Sequence, residues 1–223
     1  MNGHEWKFAE AEAEWRKAIA LNPNYASAHQ WYGEFLVTTG RYPEALTEMQ
    51  LAHQADPLSL MINSKLAMVL SNNGRHEEAL VHLRKTLEMD PNFPYAHIFL
   101  SVVYARMGRF DDSIDEYSKL GIMAGGSPEQ IAQHVDRVRI ATRTGGEKAY
   151  SRAVAEVMEG KAPSGVVAGL WARAGELDKA FAILEKAYRE HDHGILMLKD
   201  PEFDPLKGDP RYKDLLRRVG LPE

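Results

Sequence analysis

The chain has 223 residues, of which 44% are hydrophobic and 26% charged, enough apolar material to bury a core. Its formal net charge of -5 is spread without long runs of one sign, which speaks against nucleic acid and against an anionic membrane surface as partners. With no cysteine there is no disulfide framework, thiolate zinc site or cysteine nucleophile.

From Met1 to Ala20 charges interrupt every apolar run, so no signal peptide is expected there, and no later stretch has the roughly 20 apolar residues that span a bilayer. A cytoplasmic location is the expectation. The first predicted helix runs from about Phe8 to Leu21, and Ala-Leu-Asn-Pro closes it at Pro23. Gln-Ala-Asp-Pro then ends at Pro57 and Glu-Met-Asp-Pro at Pro91, each 34 residues after the last. Between the prolines the same register holds Ala11, Ala45, Ala79 and Ser113, then Trp15, Met49, Leu83 and Tyr117, then Ala18, Ala52, Thr86 and Leu120. Gly40, Gly74 and Gly108 each precede an arginine.

A glycine in the left-handed conformation ends one helix, and a proline, lacking a donor, stops the next. The period therefore predicts paired antiparallel helices. One such pair cannot cover its own apolar face, so the pairs must stack. Beyond Ala124-Gly125-Gly126-Ser127-Pro128 the pattern weakens, with helices expected from Glu129 to Thr142 and Glu147 to Glu159 about Gly145-Gly146. It sharpens again with Val167, Ala168, Trp171, Gly175, Leu177, Ala180, Leu184 and Ala187. Three Asp-Pro steps follow, and Leu198, Phe203, Leu206, Tyr212, Leu215, Leu216 and Val219 are placed to cover the last hairpin.

These residues resemble the tetratricopeptide repeat family, best in Tyr32, Gly33, Leu36, Gly40, Tyr42, Ala45, Met49 and Ala52. The resemblance implies an all-α helix-turn-helix solenoid, a right-handed superhelix with a C-terminal capping helix. The expected division is a half repeat at 1–23, repeats at 24–57, 58–91 and 92–126, a degenerate repeat at 127–160, a further repeat at 161–192 and a cap at 193–223. The tail and joints are also similar to the C-terminal tetratricopeptide regions of bacterial winged-helix regulators, kinases and cyclases, although no effector domain is present in these residues.

What the resemblance implies for function is a protein-interaction scaffold that holds a peptide or helical segment in a concave groove lined by the first helix of each repeat. The alternatives are a sensory or regulatory module of a larger bacterial signalling protein, and an enzyme on a helical scaffold. The groove positions are Gln30, Glu34 and Val37, with Ser27 and Thr38, in one repeat, and Met61, Ser64, Met68 and Asn72, with Ser71, in the next. Tyr95, Ile98, Val102 and Arg106, with Ala105, follow in the third. The Lys and Asn pair with which chaperone-binding members grip a terminal carboxylate is replaced by Gln30 and Glu34, or Ser64 and Met68. The methionines beside Tyr95 and Ile98 suit an amphipathic helix or apolar peptide.

Chemistry-bearing clusters are few. His191-Asp192-His193 lacks a third ligand at helical spacing and reads as a loop. His29, His53 and His97 fall on separate predicted helices, and His76 and His82 lie nearly two turns apart. The pairs Asp111-Asp112 and Glu77-Glu78 open second helices, where carboxylates complement the helix dipole. No cofactor, metal or catalytic residue is assigned. Because the first helix lacks its mate, Phe8, Trp15 and Ile19 are expected to face water and to drive weak homodimerisation.

Overall fold

The computed structural model describes residues 7–222. The remaining residues, including the first six of the expected half repeat and of the stretch read for a leader, lie outside that range. Among the described residues the secondary structure is helical throughout. Eleven α-helices follow in order: α1 Phe8–Leu21, α2 Ala26–Thr38, α3 Tyr42–Ala55, α4 Leu60–Asn72, α5 His76–Met89, α6 Pro94–Arg106, α7 Phe110–Met123, α8 Pro128–Met158, α9 Ser164–Arg173, α10 Leu177–Glu190 and α11 Pro210–Val219. Two 3-10 helices, His193–Lys199 and Pro201–Leu206, stand between α10 and α11. None of these helices is long and apolar enough to cross a membrane.

The turn within each pair is one device repeated. Gly40, Gly74 and Gly108 take φ of 76°, 76° and 73°, and the N–H of the following arginine donates back to Leu36 (2.8 Å), Leu70 (2.9 Å) or Tyr104 (2.9 Å). This closes the orphan carbonyls of the first helix. The arginine then stands at the start of the second helix and pairs with a carboxylate three residues on. Arg41 meets Glu44 at 2.6 Å, Arg75 meets Glu78 at 2.6 Å and Arg109 meets Asp112 at 2.7 Å. The acidic residues that open these helices thus act through an ion pair at the dipole's positive end.

The joint between pairs is equally regular. His29, Asn63 and His97 share one register, are buried, and donate to the carbonyls of Pro23 (2.9 Å), Pro57 (2.9 Å) and Pro91 (3.0 Å). The other ring nitrogen of His29 meets Glu48 at 2.6 Å, and that of His97 meets Glu116 at 2.5 Å. With both nitrogens facing acceptors, each histidine is satisfied and ties a first helix both to its second helix and to the preceding turn.

Contacts divide the described chain into two compact units. One comprises 14–37 and 41–140, and its core is built from Tyr32, Leu36, Met49, Leu66, Leu70, Leu80, Leu83, Leu100 and Val103, with Trp15 and Ile19 packed against it. The other comprises 7–13, 38–40 and 141–222. Its core gathers Trp171, Phe181 and Leu184 from α9 and α10 with Leu198, Phe203, Leu206, Tyr212, Leu215, Leu216 and Val219 from the Asp-Pro tail. All seven of these tail residues are buried. Small residues let the tail approach α9: a Cβ on Gly165 would come within 2.4 Å of the Gly194 carbonyl oxygen, and one on Gly169 within 3.0 Å of Glu202.

The break expected about Gly145-Gly146 is present: Gly146 leaves the helical conformation (φ 61°, ψ -148°), so the span Pro128–Met158 given as α8 is two helices meeting there. One expectation is changed. Phe8, Trp15 and Ile19 do not form an open patch: Phe8 packs into the C-terminal core, its ring 3.8 Å from the Cβ direction of Gly220, while Trp15 and Ile19 are half-buried against the other core. Each of these side chains is thus partly covered within the chain.

Candidate groove on the first helices

The first helices α2, α4 and α6 belong to the unit formed by 14–37 and 41–140, and polar contacts join them side by side. Lys65 of α4 reaches Glu34 of α2 at 2.8 Å, where Gln30 also donates at 3.0 Å. The same ammonium lies 5.9 Å from the ring centre of Phe99 on α6. At the other end of these helices Arg106 of α6 donates to Asn72 (2.7 Å) and Ser71 (2.9 Å) of α4. The Ser71 hydroxyl bridges to His76 Nδ1 at 3.0 Å. Burial, then the Arg106 charge, holds the His76 imidazole below its ordinary value.

Apolar side chains accompany these polar groups on the same helices. Tyr95 is 44% and Ile98 39% exposed, and Tyr95 sits in a tilted aromatic chain 5.9 Å from Phe93 and 6.1 Å from Phe99. Met61, Met68, Val37 and Val102 are half-buried. The structure thus brings Gln30 and Glu34 into one polar group, Asn72 and Arg106 into another, and keeps Tyr95 and Ile98 accessible.

Ser64 is a correction. It is fully buried, because a serine's oxygen sits one bond from Cβ, and so short a side chain is covered by its neighbours where Gln30 and Ile98 in the same register reach past theirs. Ser71 and Ala105 are likewise buried, Ser71 as a hydrogen-bonding bridge.

One register escaped the sequence reading. Trp31, Lys65 and Phe99 follow Gln30, Ser64 and Ile98 at the 34-residue spacing, one on each first helix. Lys65 and Phe99 meet each other as described, and Trp31 is 52% exposed, an unusual state for so large an apolar side chain. The signal was present in the repeat itself, one position along.

The remaining histidine cluster is a turn. Asp192 accepts from the Gly194 N–H at 2.8 Å, and His191 adopts the left-handed conformation that ends α10. The Gly194 amide and then the Ser164 hydroxyl hold the Asp192 carboxyl below its ordinary value.

Comparison with known proteins decides the family. Two tetratricopeptide repeat profiles match, one over residues 7–59 and the other over 72–132. The chain belongs to the tetratricopeptide repeat family. Repeats of this family generally mediate protein–protein interaction. Among solved structures, a tetratricopeptide repeat protein from Parabacteroides merdae ATCC 43184 is 15% identical, with 96% of this chain and 92% of that one covered at a TM-score of 0.52. A chain of MamA, MamA MSR-1 C2, is 20% identical over 53% of this chain and 68% of its own, with a TM-score of 0.46. No curated protein matches. At these identities the likeness concerns the fold alone.

Proposed function

We propose that this tetratricopeptide chain is a scaffold that holds a protein partner along α2, α4 and α6, taking an amphipathic helix or apolar peptide. The observation that carries this reading is the accessible apolar set of Tyr95, Ile98, Met61 and Met68 on the first helices, with exposed Trp31 and, on the same helices, the Glu34–Lys65 and Asn72–Arg106 groups. Large aromatics left in water are an anomaly for a fold that buries Leu36, Leu70 and Val103 so completely. Methionine supplies a surface that adapts to a partner's shape, and the flanking polar groups offer register.

Site-specific photocrosslinking tests the proposal, with the reactive side chain placed at Tyr95 or, as a control, at exposed Val81 on α5. A partner is captured from Tyr95 and not from Val81. Capture from Val81 alone moves the interface to the second helices and overturns the reading.

A further inference from the structure

We infer that the joint between the C-terminal ends of α4 and α6 is an acid-sensitive relay: protonation of His76 acts through the Ser71 hydroxyl on Arg106 and weakens the hold of α6 on α4. The three side chains form one hydrogen-bonded line across three helices. Arg106 of α6 donates from Nη1 to the Ser71 oxygen of α4 at 2.9 Å, and that oxygen meets Nδ1 of His76, the first residue of α5, at 3.0 Å. The same Nη1 reaches the Asn72 side-chain oxygen at 2.7 Å, so a single nitrogen ties α6 to two successive residues of α4. Ser71 is 3% exposed, so its hydroxyl answers to these partners and not to bulk water.

The inventory of donors gives the line its direction. A guanidinium only donates, so the Ser71 oxygen accepts from Arg106 and the one hydroxyl hydrogen is left for His76. Neutral His76 accepts that hydrogen at Nδ1 and carries its own proton on Nε2, and every contact in the line is then matched. Protonation places a hydrogen on Nδ1 as well. Ser71 then meets a charged donor from each side, at 2.9 and 3.0 Å, and its hydroxyl hydrogen loses its acceptor. Two cations sharing one buried oxygen repel.

The surroundings of the ring agree with this direction. From α4 it faces the neutral Ser71, from α6 the Arg106 charge, and on α5 itself Glu77. Burial and then Arg106 outweigh Glu77, which acts the other way, and His76 also opens α5, where the positive end of the helix dipole opposes a cation. The line is therefore intact at neutral pH and is strained as pH falls from about 6.5. Asn72 and Arg106 belong to the first-helix surface proposed above for a protein partner, so the consequence for binding rests on that reading: acid loosens Arg106 from its place on that surface.

The test is an NMR titration of the full chain with protons alone, between about pH 4.5 and 8, following the His76 ring and the Arg106 side chain. His76 titrates below 6.5, and the Arg106 resonances move with the same midpoint. R106Q raises the His76 midpoint by about half a pH unit or more, the effect of removing a nearby like charge. Should R106Q fold poorly, E77Q at its exposed site supplies the sign from the other side and lowers the midpoint, while the parent titration alone reads the coupling. Arg106 resonances that stay flat through the His76 transition overturn the inference, as does an R106Q midpoint equal to that of the parent. No partner enters the measurement, so a flat titration leaves the partner-binding reading standing, and a failed crosslink at Tyr95 leaves the relay standing.

Discussion

Gly165 and Gly194 meet backbone against backbone: a Cβ on Gly165 would lie 2.4 Å from the Gly194 carbonyl oxygen, and a Cβ on Gly194 would lie 2.6 Å from the Gly165 nitrogen. This contact seats the first 3-10 helix of the tail on α9, which in turn brings Ile195 and Leu198 into the C-terminal core. Gly165→Ala and Gly194→Ala each force the two backbones apart and are expected to destabilise by about 2 kcal/mol or more. Gly208→Ala, with nothing within 4 Å of the new methyl group, is the control and stays within about 0.5 kcal/mol. Urea unfolding of the three variants decides the point.

His97→Ala removes the partner of Glu116 and the donor to Pro91 at once, stranding a carboxylate beside a buried joint. A loss of about 3 kcal/mol is expected, the range for breaking one side of a buried pair. Lys119, which also reaches Glu116 at 2.7 Å, lessens the penalty, so H97A combined with Glu116→Gln should recover part of the loss in the same unfolding assay.

Tyr212 donates to the Leu198 carbonyl at 2.7 Å, and burial, with the carboxylates of Asp204 and Asp200, pushes its phenol up to about 12. A phenol raised on folding contributes stability that is present below its unfolded value near 10 and is lost as pH rises toward 12. Tyr212→Phe costs about 1 kcal/mol at neutral pH through the orphaned carbonyl and removes this alkaline loss. Thermal melts between roughly pH 8 and 11 measure both effects.

His53 and His82 carry the opposite sign. Both imidazoles are held below the ordinary value of 6.5 by burial and by the facing groups Lys85 and, for His82, His53, with Glu78 acting weakly the other way on His82. Their contribution is therefore complete above about 6.5 and is lost as pH falls from there through the folded values. H53Q/H82Q should flatten the melting temperature between about pH 7 and 5 relative to the parent chain. An unchanged slope contradicts the assignment.

Much of the fold was legible because its constraints are local. Pro23, Pro57 and Pro91 mark the period, the Gly-Arg steps mark the turns, and the spacing of Leu198, Phe203 and Leu206 already matched a buried face. What was hidden depends on neighbours distant in sequence. Ser64 shares a register with Gln30 and Ile98 but is buried by its surroundings. Phe8 is covered by a tail more than 200 residues further along the chain, at Gly220. His53 and His82 lie on different helices, and only packing places their rings together.

The central claim is that the first helices, through Tyr95, Ile98 and Met68, carry the partner. Its most direct test is the affinity of the captured partner for the parent chain and for M68E and Y95E, measured by titration calorimetry alongside melting temperature. Both side chains are partly or largely accessible, so the account predicts near-parental melting temperatures and affinities reduced by about tenfold or more, the scale of an interface anchor. Unchanged affinity in both folded variants would contradict it.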